Sequence, residues 1–197
     1  AKDTVQIVTT DVVPEAPREA FSFPIYYTEG ARFALYPEII LSTDMKDQMI
    51  KKVMGLFRPD LIHCVSPSFF GVMTAFVSKW LKIPLVLSYH THLPVYAKAY
   101  FGVFGDWCGD FMAWLAWTAM RIVHNRADLT VTVSPQIKEE LEAHGIRQVD
   151  VWRKGVDTET FNPRFKSSAM RAELTEGHPE DTLLLYVGRI GKEKLLG

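Results

Sequence analysis

The feature that most constrains this chain is a series of short, almost uninterrupted apolar runs, each separated from the next by a stretch long enough for a helix. The runs are Val5–Thr9, Asp60–Val65, Leu85–Tyr89, Leu129–Val133, Val149–Trp152 and Thr182–Val187. Their size and their Pro, Gly and polar borders suit strands, and continuous rather than alternating apolar character fits strands buried on both faces. Between them the spacing turns helical. Met45, Met49, Val53 and Leu56 or Phe57 mark a helix over Thr43–Phe57 that ends before Pro59. Further helices are predicted from Phe69 to Leu81, over the aromatic stretch Tyr100–Asn125 as one helix or a pair, and over Pro135–His144, closed by Gly145. The Pro-bearing stretch Asp11–Pro17 reads as a loop. Strands alternating with helices predict an α/β fold, a doubly wound parallel sheet covered by helices.

In such sheets ligands sit outside the carboxyl ends of the strands. The loops to inspect are therefore Ser66–Ser68, His90–Tyr96, Ser134–Pro135, Lys154–Asp157 and Gly188–Lys194; four of the five carry polar or charged groups directly after an apolar strand, and together they suggest one cleft. In the last of these loops Gly188 allows a tight turn, and Arg189 and Lys194 flank a predicted helix start. A planar guanidinium fork, a mobile ammonium and free helix amides are together suited to a phosphate. The spacing matches neither the Walker A loop nor the dinucleotide glycine fingerprint. A solvated basic loop accounts for the same residues equally well. His90 and His92, two residues apart after an apolar strand, leave three readings open: a metal pair, a catalytic base, or polar groups satisfied within a loop. Metal is the poorest, because no further His or Cys group completes a recognisable ligand set.

Charge enters where partners are considered. The 197 residues carry 22 basic and 23 acidic side chains, a net charge of -1, so no basic field favours nucleic acid as the main partner. One domain is the default at this length, with a second expected only if an end is incomplete. Cys64 and Cys108 read as reduced thiols. The chain opens at Ala1 almost directly on a strand and stops at Gly197 after a strand and a basic loop, so a piece of a longer protein is expected. No targeting or signal segment is recognisable in these residues.

Four motifs then carry a resemblance. Gly188-Arg-Ile-Gly-Lys-Glu-Lys194 resembles the G-R-x-x-x-E-K loop of the retaining GT-B glycosyltransferases of family GT4. Lys154-Gly-Val-Asp-Thr-Glu-Thr-Phe161 resembles their G-V-D-x-x-x-F segment, Ala127-Asp-Leu-Thr-Val-Thr-Val-Ser-Pro135 their A-D-x-v-x-x-x-S strand, and Pro59-Asp-Leu-Ile-His63 their k-P-D-i-I-H strand. All four occur in the family's order. The resemblance implies an N-terminal Rossmann-like acceptor-side domain over 1–162 lacking its first strand, an interdomain segment over 163–181, and the start of a nucleotide-sugar-binding domain over 182–197. A carboxylate pair of that second domain would lie beyond Gly197. The piece alone is therefore expected to be inactive.

A narrower likeness follows. Ser88-Tyr-His-Thr-His-Leu-Pro-Val-Tyr96, Trp152-Arg-Lys-Gly-Val-Asp157, Phe161-Asn-Pro-Arg-Phe165 and Val187-Gly-Arg-Ile-Gly191 resemble the plant and algal sulfoquinovosyltransferases that make the plastid sulfolipid. That likeness implies transfer of sulfoquinovose from UDP-sulfoquinovose to diacylglycerol, at a plastid envelope. It implies that Gly188, Arg189 and Lys194 hold the donor diphosphate and that His90 lies beside the transferred sugar, with His92 either a second contact or structural. No Asp-x-Asp occurs, so protein cations rather than a metal are expected to offset the charge on leaving UDP. Tyr100–Met120 carries Phe101, Phe104, Trp107, Phe111, Trp114 and Trp117, but Asp106 and Asp110 interrupt it as a membrane span. Core packing and a peripheral membrane contact are its two readings. Three alternatives stand: a GT4 enzyme using another donor such as UDP-glucose and another lipid, a non-catalytic half-fold that binds a partner, and an esterase-like hydrolase, which lacks its Gly-x-Ser-x-Gly elbow.

Overall fold

The computed structural model describes residues 4–10, 15–28, 30–33, 36–42, 57–65 and 69–188. The chain divides into two compact units, Ala1–Trp152 and Arg153–Gly197.

The first unit centres on four parallel strands in the order β6-β7-β8-β9: β6 (Ile62–Cys64), β7 (Leu85–Tyr89), β8 (Leu129–Thr132) and β9 (Val149–Val151). Their register pairs Ile62 with Leu85, Tyr89 with Thr132, and Thr132 with Val151. Neighbours in sequence are thus neighbours in the sheet, and right-handed crossovers then place the connecting helices on a common face. Those helices are α1 (Phe69–Leu81), α2 (Leu93–Phe101), α3 (Asp106–His124) and α4 (Pro135–Ala143). One apolar cluster joins Cys64, Leu85 and Leu87 to Ala75 of α1 and Ala127; a second joins Tyr89 and Val149 to Met120 of α3, Leu141 of α4 and Ile146. Leu85, Leu141 and Ile146 are at most 2% exposed, each contributing roughly 1.5–3 kcal/mol by burial.

Two polar residues of the Ala127–Pro135 motif fix this geometry. The Asp128 carboxylate accepts the Leu85 backbone N–H at 2.8 Å, satisfying a donor at the start of β7. Ser134 has an extended backbone and its hydroxyl accepts the Ile137 N–H at 3.3 Å, an N-cap with Pro135 in the first turn behind it.

Most predicted elements appear within a residue or two. The helix predicted over Thr43–Phe57 lies, except for Phe57, outside the described residues. The aromatic stretch Tyr100–Asn125 holds one α-helix, α3 from Asp106, after a single 3-10 turn over Gly102–Phe104; α2 precedes it, starting at Leu93 within the segment His90–Tyr96 expected to be a loop, and ends at Phe101. Gly105 makes the break with φ +117, a conformation costly for any other residue. A Cβ on Gly109 would lie 2.9 Å from the Lys98 carbonyl oxygen, so this glycine lets α2 and α3 approach closely.

Two differences are corrections. Thr182–Val187 forms no strand, and Leu184 and Val187 stand 92% and 87% exposed. Among the described residues no strand pairs with it, and an extended apolar run has no stability without a neighbouring ladder. The region before residue 43, read only as a strand and a loop, instead carries four further strands. β1 (Ile7–Thr10) pairs in parallel with β3 (Phe23–Thr28), which also takes the two-residue β2 (Glu19–Ala20) antiparallel. β4 (Gly30–Phe33) and β5 (Tyr36–Ser42) form an antiparallel pair with a register shift between Arg32 and Phe33. Residues 23–28 alternate exposed with less exposed positions, a period-2 pattern visible in Phe-Pro-Ile-Tyr-Tyr-Thr only weakly because Pro24 and two adjacent tyrosines blur it.

The second unit contains a 3-10 turn, Pro163–Phe165, and one short helix, α5 (Ser168–Leu174).

Candidate functional site

At the carboxyl end of β7 the chain turns sharply through His90, Thr91 and His92 into α2. The Leu93 N–H donates to the Thr91 carbonyl at 2.8 Å, and Pro94 sets the first helical turn. His92 occupies the N-cap position but its side chain caps nothing. It reaches across instead to α4, with Nε2 2.8 Å from Glu140 Oε2. Its ring meets Tyr89 edge-on (centroids 6.1 Å, 65°) and Trp117 likewise (6.0 Å, 82°). Trp117 in turn stacks flat on His144 at 3.6 Å, and His144 Nδ1 lies 2.8 Å from the Glu140 carbonyl oxygen. Glu140 thus serves one histidine through its carboxylate and another through its backbone.

His92 Nε2 donates to the Glu140 carboxylate; among the described residues the buried Nδ1 has no hydrogen-bond partner, nor do the buried hydroxyls of Tyr89 and Thr132. Burial, aided by the Glu140 charge, raises the Tyr89 hydroxyl well above the usual phenol range, so it stays neutral. Tyr89 and Thr132 are paired residues at the ends of adjacent strands, so the carboxyl edge of the sheet is buried and polar just beneath the turn. His90, the first residue after β7, is exposed.

The sequence-derived candidates therefore separate. His90 and His92 share one turn but face different surroundings. Gly188 lies in the second unit, where an added Cβ would come within 2.7 Å of the Tyr186 hydroxyl. Arg189 and Lys194 lie outside the described residues, as do Ser66–Ser68. In the Lys154–Phe161 motif, Asp157 closes a local turn: it accepts the backbone N–H groups of Glu159 (3.0 Å) and Thr160 (3.2 Å) and the Thr160 hydroxyl (2.6 Å). The bonds from Thr160, then that from Glu159, hold its carboxyl below the ordinary aspartate range. Among the described residues no group of three or more His, Cys, Asp or Glu side chains is placed to hold a metal ion.

Glu140 and Tyr89 were not singled out from the sequence; Trp117 was, among the aromatics of Tyr100–Met120 read as core or membrane contact, and the structure packs it on His92 and His144. A signal for Glu140 existed: it follows Ile137 by three and precedes Leu141 by one, which puts it beside the core-facing stripe of α4. Two further histidines bond side chains of the sheet, His63 from β6 and His124 from the end of α3. His63 lies 2.6 Å from the Ser88 hydroxyl and 5.3 Å from the Trp152 ring, and burial lowers its pKa. His124 reaches the Thr130 hydroxyl at 3.1 Å, and burial pushes it down to about 4.

The aromatic residues of α3 divide between two environments. Trp117 packs inward with His92 and His144, whereas Trp107, Phe111 and Trp114 are 74%, 53% and 60% exposed at spacings of four and three residues along α3. Lys98 pairs with Asp110 at 2.7 Å. A groove of about 560 Å³ opens between α3 and the end of α4, lined by Trp114, Trp117, Thr118, Arg121 and His144; neither His90 nor His92 borders it. No helix among the described residues is long and apolar enough to cross a membrane. Neither Cys64 nor Cys108 takes part in a disulfide.

A parallel α/β sheet with a polar turn at its carboxyl edge defines the class: half of a Rossmann-like, two-domain GT-B architecture. Residues 1–160 match the family model Glycosyltransferase Family 4, and the chain belongs to that family. A sulfoquinovosyl transferase of Arabidopsis thaliana is 37% identical over 201 positions, covering 98% of this chain and 37% of that protein. GDP-mannose-dependent alpha-mannosyltransferases of Mycobacterium tuberculosis and Mycolicibacterium smegmatis are 32% and 33% identical, over 75% and 76% of this chain and 36% and 37% of theirs. The chain thus spans little more than a third of the length of these relatives.

Proposed function

We propose that this chain belongs to a retaining glycosyltransferase that moves sulfoquinovose from UDP-sulfoquinovose to the hydroxyl of diacylglycerol in plastid sulfolipid synthesis. The observation that carries the reading is the likeness to the Arabidopsis sulfoquinovosyl transferase, which extends over 98% of this chain where the mannosyltransferases match about three quarters. The motif around Ser88–Tyr96, which supplies the turn at the carboxyl edge, supports it.

On this reading the anomeric bond breaks as UDP departs with growing negative charge. Arg189 and Lys194 hold the diphosphate and offset that charge, with Gly188 allowing the backbone close to it. His90, exposed just after β7, orients hydroxyls of the transferred sugar. The acceptor hydroxyl attacks from the face that UDP leaves, and its proton passes to the departing phosphate, so no side chain need act as a covalent nucleophile. An acceptor as apolar as diacylglycerol must be drawn from a bilayer. The stripe Trp107, Phe111 and Trp114 is suited to that contact, because amphipathic aromatic rings favour the membrane interface.

Competition between UDP-sulfoquinovose and UDP-glucose, with the full-length protein and diacylglycerol, tests the donor. Sulfolipid as the main product is expected; product from UDP-glucose alone would overturn it. A second reading, a mannosyl donor carried by GDP, is favoured by the mannosyltransferase relatives, and adding GDP-mannose to the same competition decides it. The membrane contact is tested by replacing Trp107, Phe111 and Trp114 with Ser. Liposome binding should fall in a protein that stays folded, and unchanged binding would refute the contact.

A further inference from the structure

The turn carrying His90 is anchored on both sides. Before it, Tyr89 is locked in the β7 ladder opposite Thr132 and is 5% exposed. After it, His92 is held by Glu140 at 2.8 Å and boxed by the edges of Tyr89 and Trp117. Leu93 closes the three residues with its bond to the Thr91 carbonyl. The His92 bond to Glu140 is a side-chain hydrogen bond that spans 48 residues and ties the turn to α4. α4 is itself fixed by the Ser134 cap and by Leu141, which is fully buried.

We infer that Glu140 is a positioning residue, which sets the direction of His90 at the carboxyl edge of the sheet by holding His92. His92 is then an anchor rather than a ligand of the sugar. Several details of the site favour this assignment. His92 Nε2 is taken up by Glu140 and its Nδ1 is buried, so neither ring nitrogen is offered to a substrate. Its N-cap position would ordinarily be filled by a short polar side chain bonding the helix amides, and here that local role is given up for a distant carboxylate. Glu140 also bonds His144 through its backbone, so the carboxylate stands on a segment with little freedom to follow His92 if the turn moves. The inference rests on His90 contacting the transferred sugar.

A double-mutant cycle on the full-length protein tests it. Glu140→Ala should lower kcat on the order of 10-fold, the scale on which small misplacements of a reacting group act, while leaving the thermal midpoint nearly unchanged. Glu140→Gln keeps an acceptor oxygen for His92 Nε2–H and should restore most of the loss. In a His90→Ala background, Glu140→Ala should have no further effect. An equal loss in both backgrounds would overturn the positioning role while leaving the part played by His90 intact. Full activity of His90→Ala would overturn the reading of His90 itself, and the positioning role with it. Independently of turnover, the imidazole resonances of His90 should shift in Glu140→Ala; unchanged resonances would also count against the coupling.

Discussion

The two units of this chain are held together by different means. In Ala1–Trp152 the strands, α1, α3 and α4 meet over side chains that water does not reach: Leu85 at 1%, Leu141 at 0% and Ile146 at 2% exposure, drawn from points far apart in sequence. In Arg153–Gly197 no described residue is buried. Its order comes from short-range polar bonds: the Asp157 turn, Asn162 capping the 3-10 turn through the Arg164 N–H, Ser167 capping α5, and the Arg171 guanidinium donating to the carbonyls of Pro179 and Asp181. Motif residues of the glycosyltransferase family occur in both units. In the first they serve a fold already stabilised by burial. In the second they sit on a backbone shaped by local bonds alone, each worth little by itself.

Substitutions at increasing distance from the core sharpen that contrast. Leu141→Ala should have the largest effect, a loss of about 2–5 kcal/mol from a fully buried leucine, read as a lower denaturation midpoint of the whole first unit. Melting confined to α4 would break the idea of one cooperative core.

Acid should act next, through His124. Its folded pKa, pushed down to about 4 by burial, lies below the ordinary 6.5. Between those values the unfolded chain binds the proton that the folded chain refuses. Stability is therefore full above about pH 6.5 and falls as pH drops toward 4, by on the order of 3 kcal/mol. Replacing His124 with Gln should flatten this part of the urea midpoint profile, and an unchanged slope would assign it elsewhere.

In the second unit the expected losses are in chemistry rather than in fold. Arg189→Ala in the full-length protein should lower turnover about 100-fold with its unfolding transition unmoved. Near-normal turnover would remove the diphosphate contact. The smallest effect belongs to the Ser167 cap. Ser167→Ala should cost about 1 kcal/mol, seen only as faster hydrogen exchange at the amides of Met170–Leu174. Slower folding of the first unit in this variant would contradict the separation of the two.

What could be read from the residues divides along the same line. β6, β7, β8 and β9 were legible because apolar runs of strand length between helical segments leave a parallel sheet as the economical way to bury them. A turn at the end of β7 was legible and occupies His90–His92, but the rest of the expected loop, Leu93–Tyr96, is the first turn of α2. The inward role of His92 was not legible, since its partner Glu140 is 48 residues away and nothing local announces the pairing. Nor was the division of α3's aromatics: Trp114 and Trp117 look alike in sequence, yet one is 60% exposed and the other stacks on His144. The run Thr182–Val187 misled for the converse reason, because apolar composition proposes a strand but only a neighbouring ladder makes one.

The sequence by itself determined the class of fold and the family, because the period of burial and the order of the motifs are local properties written along the chain. Only the tertiary structure decided which histidine is exposed and which is bonded to Glu140, and which of Trp114 and Trp117 is exposed and which packs on His144. Those distinctions depend on the distant groups that arrive beside each side chain, and a linear pattern carries no record of that arrival.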